Sequence, residues 1–170
     1  MRIQEISKSI LRQMPQVNKW RRDFISHLFP LIFALRGRLN LKNMSRYSTY
    51  NESSFHRHFS QSFDFCAFNS YCLDQINESQ QSQQSQQSQQ HWIAAADCSF
   101  INKSGKSTYG LDKFWSGQFK REKMGLEISA VCLIEVNSKE AFMLQVKQTP
   151  AGLAKVQGRS RIDFYMDQLQ

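Results

Sequence analysis

One aspartate stands inside an apolar, strand-like segment, and its carboxylate is the group in this sequence best suited to chemistry. Asp97 lies in the run HWIAAADCSFI at residues 91–101. Side chains of a β-strand alternate between two faces, so this pattern predicts that Asp97 shares a face with Ile93, Ala95 and Ser99. A half-buried carboxylate in that position can bind a divalent metal ion or face a phosphate. The simpler interpretation is a turn former or a hydrogen-bond acceptor.

Two further strand-like segments and a helix follow, and they would hold the Asp97 strand in a sheet. Residues 125–137 carry apolar side chains on both faces, which is typical of a strand buried on both sides. Residues 141–150 follow after a short polar turn, so these two strands are predicted to pair antiparallel. Residues 161–170 have the pattern of the beginning of a helix. We therefore expect three strands followed by a helix.

Several ungapped blocks of residues from Asp97 onward agree, in order, with one known family. They are Asp97, residues 99–101, 103–106, 108–111, 114–117 and 125–128. Over residues 91–170 the sequence resembles the start of the catalytic domain of bacterial insertion-sequence DDE transposases, in particular insertion-sequence family four. The resemblance implies a ribonuclease-H-like fold, so the expected class is α+β, with a small helix-turn-helix-like domain preceding the first three strands of an incomplete catalytic domain.

The resemblance also implies a metal-dependent reaction on DNA. Enzymes of the family hydrolyse a phosphodiester and join the freed 3′-hydroxyl to target DNA, using two Mg²⁺ or Mn²⁺ ions held by Asp, Asp and Glu. Asp97 matches the first of these ligands, and the sequence ends before the others. Asp163 and Asp167 are expected to be surface residues instead. We expect the amino-terminal fragment of a transposase, with weak or no metal binding and no strand cleavage on its own.

Two other functions stay open, a DNA-binding fragment without enzymatic activity and an unrelated ribonuclease-H-like nuclease. The expected partners are the terminal repeats of the element and its target DNA, and a homodimer is an open alternative for the intact enzyme.

Positive charge is concentrated in the first third of the chain. Residues 1–60 carry eleven Lys and Arg against three acidic residues, and the rest of the chain carries eleven of each. Such segregation favours a nucleic-acid partner. The alternative is a basic domain whose charge only keeps it in solution.

The pattern within this basic region predicts helices. From residue 15 onward, Trp20, Phe24 and Leu28 lie at helical spacing, and Pro30 is expected to break or kink that helix. A short helix is predicted over residues 39–47.

A further helix is predicted from Tyr50 to Phe63. Thr49 and Glu52 have the spacing of a capping box at its start, and Phe55, Phe59 and Phe63 would form a buried stripe. Two short helices of this kind are typical of a helix-turn-helix, although other helical bundles show the same pattern. The residues expected to contact DNA are Arg36, Arg38, Lys42, Arg46, Ser53, Ser54, His56 and Arg57, together with Lys103 and Lys106 after the first strand.

A Ser-Gln-Gln repeat divides the chain. It lacks charged and apolar residues, so it is predicted to be a solvated linker, with a glutamine-rich association segment as the alternative. The predicted organisation is a basic helical DNA-binding domain at 1–77, a linker at 78–90 and a partial ribonuclease-H-like domain at 91–170. Because three strands leave an open edge and an uncovered apolar face, the last region is expected to be protease-sensitive or self-associating.

The cysteines and the hydropathy indicate the cellular compartment of the protein. The four cysteines lack CxxC spacing, which predicts free thiols, and the spacing of His56 and His58 with Cys66 and Cys72 does not match a zinc site. The longest apolar run, residues 24–35, is too short to span a bilayer. We expect a cytoplasmic protein without a membrane partner.

Overall fold

The computed structural model describes residues 3–81, 91–153 and 158–169, and over them the protein combines helices with an antiparallel sheet. The expected α+β class is confirmed. The chain divides into two compact units, Met1–Gln80 and Gln81–Gln170. Of the predicted linker, residues 82–90 lie outside the described residues, while residues 78–81 continue the last helix of the first unit instead.

The first unit is helical. Within its described residues the helices are α1 (Ile3–Arg12), α2 (Lys19–Ala34), α3 (Leu41–Arg46), α4 (Glu52–Phe59) and α5 (Phe65–Gln81). All five contribute apolar side chains to one core. Its buried members are Ile10, Leu11, Met14, Val17, Phe24, Ile25, Leu28, Leu31, Met44, Phe55 and Phe68.

Helix α2 differs from its prediction at both ends. Asn18 is its N-cap, with the side-chain oxygen accepting from the Arg21 backbone N–H at 2.9 Å. Trp20 is 56% exposed and not part of the buried stripe, because it lies in the first turn, at the edge of the core. Pro30 lies inside α2 and does not end it. Proline forfeits one helix hydrogen bond, and the buried side chain of Leu31 holds that turn in the core.

Helix α4 is shorter than predicted and has a different cap. Asn51 caps it, accepting from the Ser54 backbone N–H at 2.8 Å, so the capping box at Thr49 is wrong. The helix ends at Phe59, which is 49% exposed. Its buried positions are Phe55 and His58, three residues apart, so a histidine takes the core position that the sequence pattern assigned to Phe59.

The second unit contains a four-stranded antiparallel sheet in its described residues. The strands are β1 (Trp92–Asn102), β2 (Asp112–Ser116), β3 (Arg121–Glu135) and β4 (Glu140–Gln148). β3 is central, with β1 along one edge and β2 and β4 along the other. The antiparallel pairing of the last two strands is confirmed. β2 was not predicted. The strand is short, and its residue polarity does not match its burial, because a serine (Ser116) is buried beside Phe114 while a tryptophan (Trp115) is exposed beside Lys113.

Helix α6 (Arg161–Leu169) packs on one face of this sheet through polar contacts. The Ser129 hydroxyl donates to Gln168 at 2.5 Å, and both side chains are buried. On the opposite face of β3, residues such as Ile128 and Ala130 are only half-buried. The expectation that this strand is buried on both faces is therefore wrong, since a single helix of the described residues covers one face alone.

One glycine is required by close packing in the sheet. A Cβ atom on Gly125 would lie 2.4 Å from the ring of Phe100 on the neighbouring strand. Any side chain here would displace that ring.

Candidate functional site

Asp97 lies on β1 directly opposite Ala130 of β3. The neighbouring pair, Cys98 and Ser129, faces α6, so Asp97 points to the face that α6 does not cover. Ile93, Ala95 and Ser99 share that face, as the alternation predicted. The carboxylate is exposed, however, and the expected half-buried position is wrong.

In the part of the chain that the structure describes, the surroundings of Asp97 do not supply the ligands of a two-ion metal site. Its carboxylate makes no hydrogen bond or ion pair with the described residues, and none of these form a group of three or more His, Cys, Asp or Glu side chains able to hold a metal ion. Mg²⁺ binds several oxygen ligands, and two ions need bridging carboxylates. One exposed carboxylate therefore does not fit the ligand set that the resemblance implied.

The two acidic residues of α6 have structural partners. Asp163 accepts from the backbone N–H of Ser160 at 2.9 Å, and its own backbone N–H donates to the Ser160 hydroxyl at 3.1 Å, which is a capping box at the start of the helix. Hydrogen bonds from Ser160, chiefly through its hydroxyl, hold the pKa of the Asp163 carboxyl below its ordinary range. Asp167 pairs with Arg159 at 2.5 Å. Both aspartates are exposed, as expected for surface residues.

The sequence pattern missed a carboxylate on the other face of the sheet. Glu127 is 6% exposed and accepts from the hydroxyl groups of Tyr165 at 2.5 Å and Thr149 at 3.0 Å. Burial, followed by the contacts with Glu127 and Cys98, raises the pKa of the Tyr165 phenol. The sole sequence signal was an acid in an alternating strand. These bonds tie α6 and the end of β4 to β3, which is a structural role.

Basic side chains surround α3 in the first unit. Arg36, Arg38, Lys42 and Arg46 are exposed, and their charged ends make no hydrogen bond or ion pair with the described residues. The loop that bears the first two is fixed beside α3, because the Asn43 side-chain amide donates to the carbonyls of Arg36 at 2.9 Å and Arg38 at 3.0 Å. Their positions are thus set by the backbone while their charges stay free.

Helix α4 contacts α3 and presents the other predicted DNA-binding residues. Ser53, His56 and Arg57 are exposed, and Ser54 is half-buried. We call the surface formed by Arg36, Arg38, Lys42, Arg46, Ser53, Ser54, His56 and Arg57 the basic α3–α4 surface. Lys103 and Lys106 belong to the second unit, where both are exposed between β1 and β2.

A buried arginine holds the carboxyl end of α4, and the sequence pattern did not reveal it. Arg21 is 8% exposed and donates to the backbone carbonyls of His58 and Gln61, the latter at 3.0 Å. A cation at this end interacts favourably with the helix dipole. The His58 ring stacks on Phe24, with centroids 3.8 Å apart. Burial, then the charges of Arg21 and Arg57, lowers the pKa of the His58 imidazole.

The thiols of all four cysteines are free, as predicted. Among the described residues, no helix combines the length and the apolar character needed to cross a membrane. Comparisons with protein-family models, curated proteins and solved structures found no match to this chain.

Proposed function

We propose that the first unit binds double-stranded DNA through the basic α3–α4 surface. The observation that carries this proposal is a set of exposed cations that make no hydrogen bond or ion pair with the described residues, Arg36, Arg38, Lys42, Arg46 and Arg57, on two adjoining short helices and the loop before them. Cations that stabilised the fold would be expected to pair with carboxylates or carbonyls, as Arg21 does. Unpaired charges at fixed positions suit an external polyanion.

The physical basis is neutralisation of phosphates. Each Lys or Arg that contacts a phosphate releases condensed counterions, so the affinity depends steeply on salt. Helix α4 supplies Ser53, His56 and Arg57, whose side chains can form hydrogen bonds with phosphates or base edges. In a helix-turn-helix, the second helix enters the major groove and the preceding one crosses the backbone. In this proposal α4 takes the first role and α3 the second.

We further propose that this DNA-binding unit belongs to a transposase of the insertion-sequence type. The support is the ordered agreement of residue blocks from Asp97 onward, together with three long strands, β1, β3 and β4, that pair antiparallel in succession. Asp97 would be the first metal ligand of a ribonuclease-H-like domain. Because the described residues offer no partner carboxylates, we assign DNA binding and not strand cleavage to this chain. A DNA-binding fragment without enzymatic activity and a different ribonuclease-H-like nuclease are the alternative proposals.

The test is a salt titration of DNA binding. Fluorescence anisotropy of a labelled duplex of about 20 base pairs, between about 50 and 200 mM KCl, measures the slope of log K against log salt. Replacing Arg36, Arg38, Lys42 and Arg46 together by Gln should make the slope shallower by about 0.9 for each lost phosphate contact. Lys8→Gln/Arg12→Gln, on exposed positions of α1, is the matched control.

Two results would contradict the proposal. A wild-type slope near zero would show that phosphates are not neutralised. An equal decrease in slope for each removed charge in the quadruple variant and in the α1 control would show that net charge determines binding and that the basic α3–α4 surface has no special part in it.

A further inference from the structure

An exposed tryptophan lies beside α4 in the first unit. Trp20, in the first turn of α2, is 56% exposed. The guanidinium of Arg57 lies over the Trp20 ring, with its central carbon 4.4 Å from the ring centroid. The Trp20 ring also contacts the His58 ring, with centroids 5.1 Å apart. Packing in the core of this unit therefore does not explain why a tryptophan is at this position.

The contact with Trp20 uses none of the N–H donors of Arg57 in a hydrogen bond to another described residue. A guanidinium has five such donors, all in its plane. None of these donors has a partner among the described residues, and no carboxylate lies within ion-pair distance. The cation–π contact restricts where the guanidinium lies and thereby lowers the entropy that a ligand would have to remove. Arg57 is thus a charged fork held beside Trp20, without a hydrogen-bond acceptor among the described residues.

The electrostatic surroundings favour an anion. The buried Arg21 contacts His58, the residue after Arg57, and its guanidinium donates to backbone carbonyls and pairs with no acid of the described residues. A planar fork of N–H donors matches two oxygens of a phosphate. A carboxylate would fit the same fork, and we choose a phosphodiester because the proposed partner is DNA.

We propose that Trp20 and Arg57 together bind one backbone phosphate of DNA, with Arg57 as the contact and Trp20 as a positioning residue. This inference rests on the proposed DNA binding. A phosphate is favoured over a base edge because Arg57 is at the carboxyl-terminal half of α4 and is held towards α2. Recognition helices contact bases mainly through their amino-terminal residues.

The experiment uses the full chain and the same labelled duplex in a salt titration. Arg57→Gln should make the log–log slope shallower by about 0.9, the value of one phosphate. Arg57→Lys should retain the slope but bind more weakly, because an ammonium lacks the planar fork. Trp20→Ala should also retain the slope and lose affinity by about 2- to 5-fold, and Trp20→Phe should lose less. Arg12→Gln, which removes an exposed charge from α1, is the control.

A structural role for Trp20 predicts a different result. Loss of folding would lower the helical circular dichroism and the melting temperature, while the positioning role leaves both unchanged. Trp20 also supplies a spectroscopic signal, since the other two tryptophans are Trp92 and Trp115 in the second unit. A change in emission on DNA addition should be present in the wild type and absent in Trp20→Phe.

The outcomes separate this inference from the proposed function. If the wild type shows no salt-dependent binding, both fail. If it binds and Arg57→Gln behaves as Arg12→Gln, the fork is not a phosphate contact although DNA binding stands. A duplex with 7-deazaguanine in place of guanine removes the N7 acceptor and keeps every phosphate. If the effect of Arg57→Gln disappears on that duplex, Arg57 contacts guanine and the phosphate assignment is overturned.

Discussion

The two units differ in how many polar side chains they bury beside apolar ones. In the first unit, Phe24 and Phe55 are fully buried and the free cations are outside. In the second unit, the face of β3 under α6 buries the polar Glu127 and Ser129 beside Val131, while half-exposed apolar side chains occupy the uncovered face. Among those on the uncovered face, Ile93, Met143 and Val146 are half-exposed or more. The first unit thus encloses an apolar core, whereas in the second unit α6 is attached to one face of the sheet largely through polar contacts and no described element covers the other face.

The largest expected effect comes from the apolar core of the first unit. Phe55→Ala should destabilise that unit by about 3–5 kcal/mol, because it removes a fully buried ring and leaves a cavity. Chemical denaturation followed by circular dichroism measures the loss, and DNA binding should disappear with it. Phe33→Ala, at a 74% exposed position of α2, is the control and should change stability by less than about 0.5 kcal/mol.

The next effect tests the polar attachment of the second unit. Glu127→Ala should destabilise that unit by about 1–3 kcal/mol, since it leaves the hydroxyls of Tyr165 and Thr149 without their acceptor. Glu127→Gln should cost less, because an amide oxygen still accepts. The emission of Trp92 and Trp115 reports unfolding of this unit. Equal stability in all three proteins would mean that α6 is held by other contacts.

A smaller effect concerns the pH dependence of the first unit. The pKa of His58 is lowered in the folded state from its ordinary value of 6.5, so the unfolded chain takes up the proton first on acidification. The stability contributed by neutral His58 is therefore present above about pH 6.5 and is lost as the pH falls below it. Denaturation midpoints between about pH 8 and pH 5 measure this loss. His58→Phe should flatten the dependence, and a profile unchanged by that substitution would refute the assignment.

We expect the uncovered face of the sheet to promote self-association of the protein. Met143→Lys/Val146→Lys puts charge on exposed apolar positions of β4, so light scattering at high protein concentration should decrease. Gln13→Lys/Gln16→Lys adds the same charge to exposed positions of the first unit and should decrease it less. Limited proteolysis should cut the second unit before residues 1–77. Uniform resistance of the chain would contradict this difference between the units.

The smallest expected effect is at Asp97. Asp97→Ala should leave DNA affinity unchanged, and neither protein should nick supercoiled plasmid with Mg²⁺ or Mn²⁺, because a single carboxylate holds such ions poorly. Agarose gel electrophoresis measures nicking. Metal-dependent nicking that is present in the wild type and lost in Asp97→Ala would show that this chain does form an active site.

The sequence by itself determined the features that depend on composition or local period. Charge segregation, the side-chain alternation around Asp97 and the pairing of the last two strands follow from residue types and spacing. Tertiary structure alone decided which face of β1 is covered and which residues at the edges of the apolar stripes of α2 and α4 are buried. Asp97 is exposed because α6 covers the opposite face, and Trp20 is exposed while His58 is buried because the core is closest to the middle of α2 and to one side of α4. Burial depends on which element packs against a face, and local spacing does not contain that information.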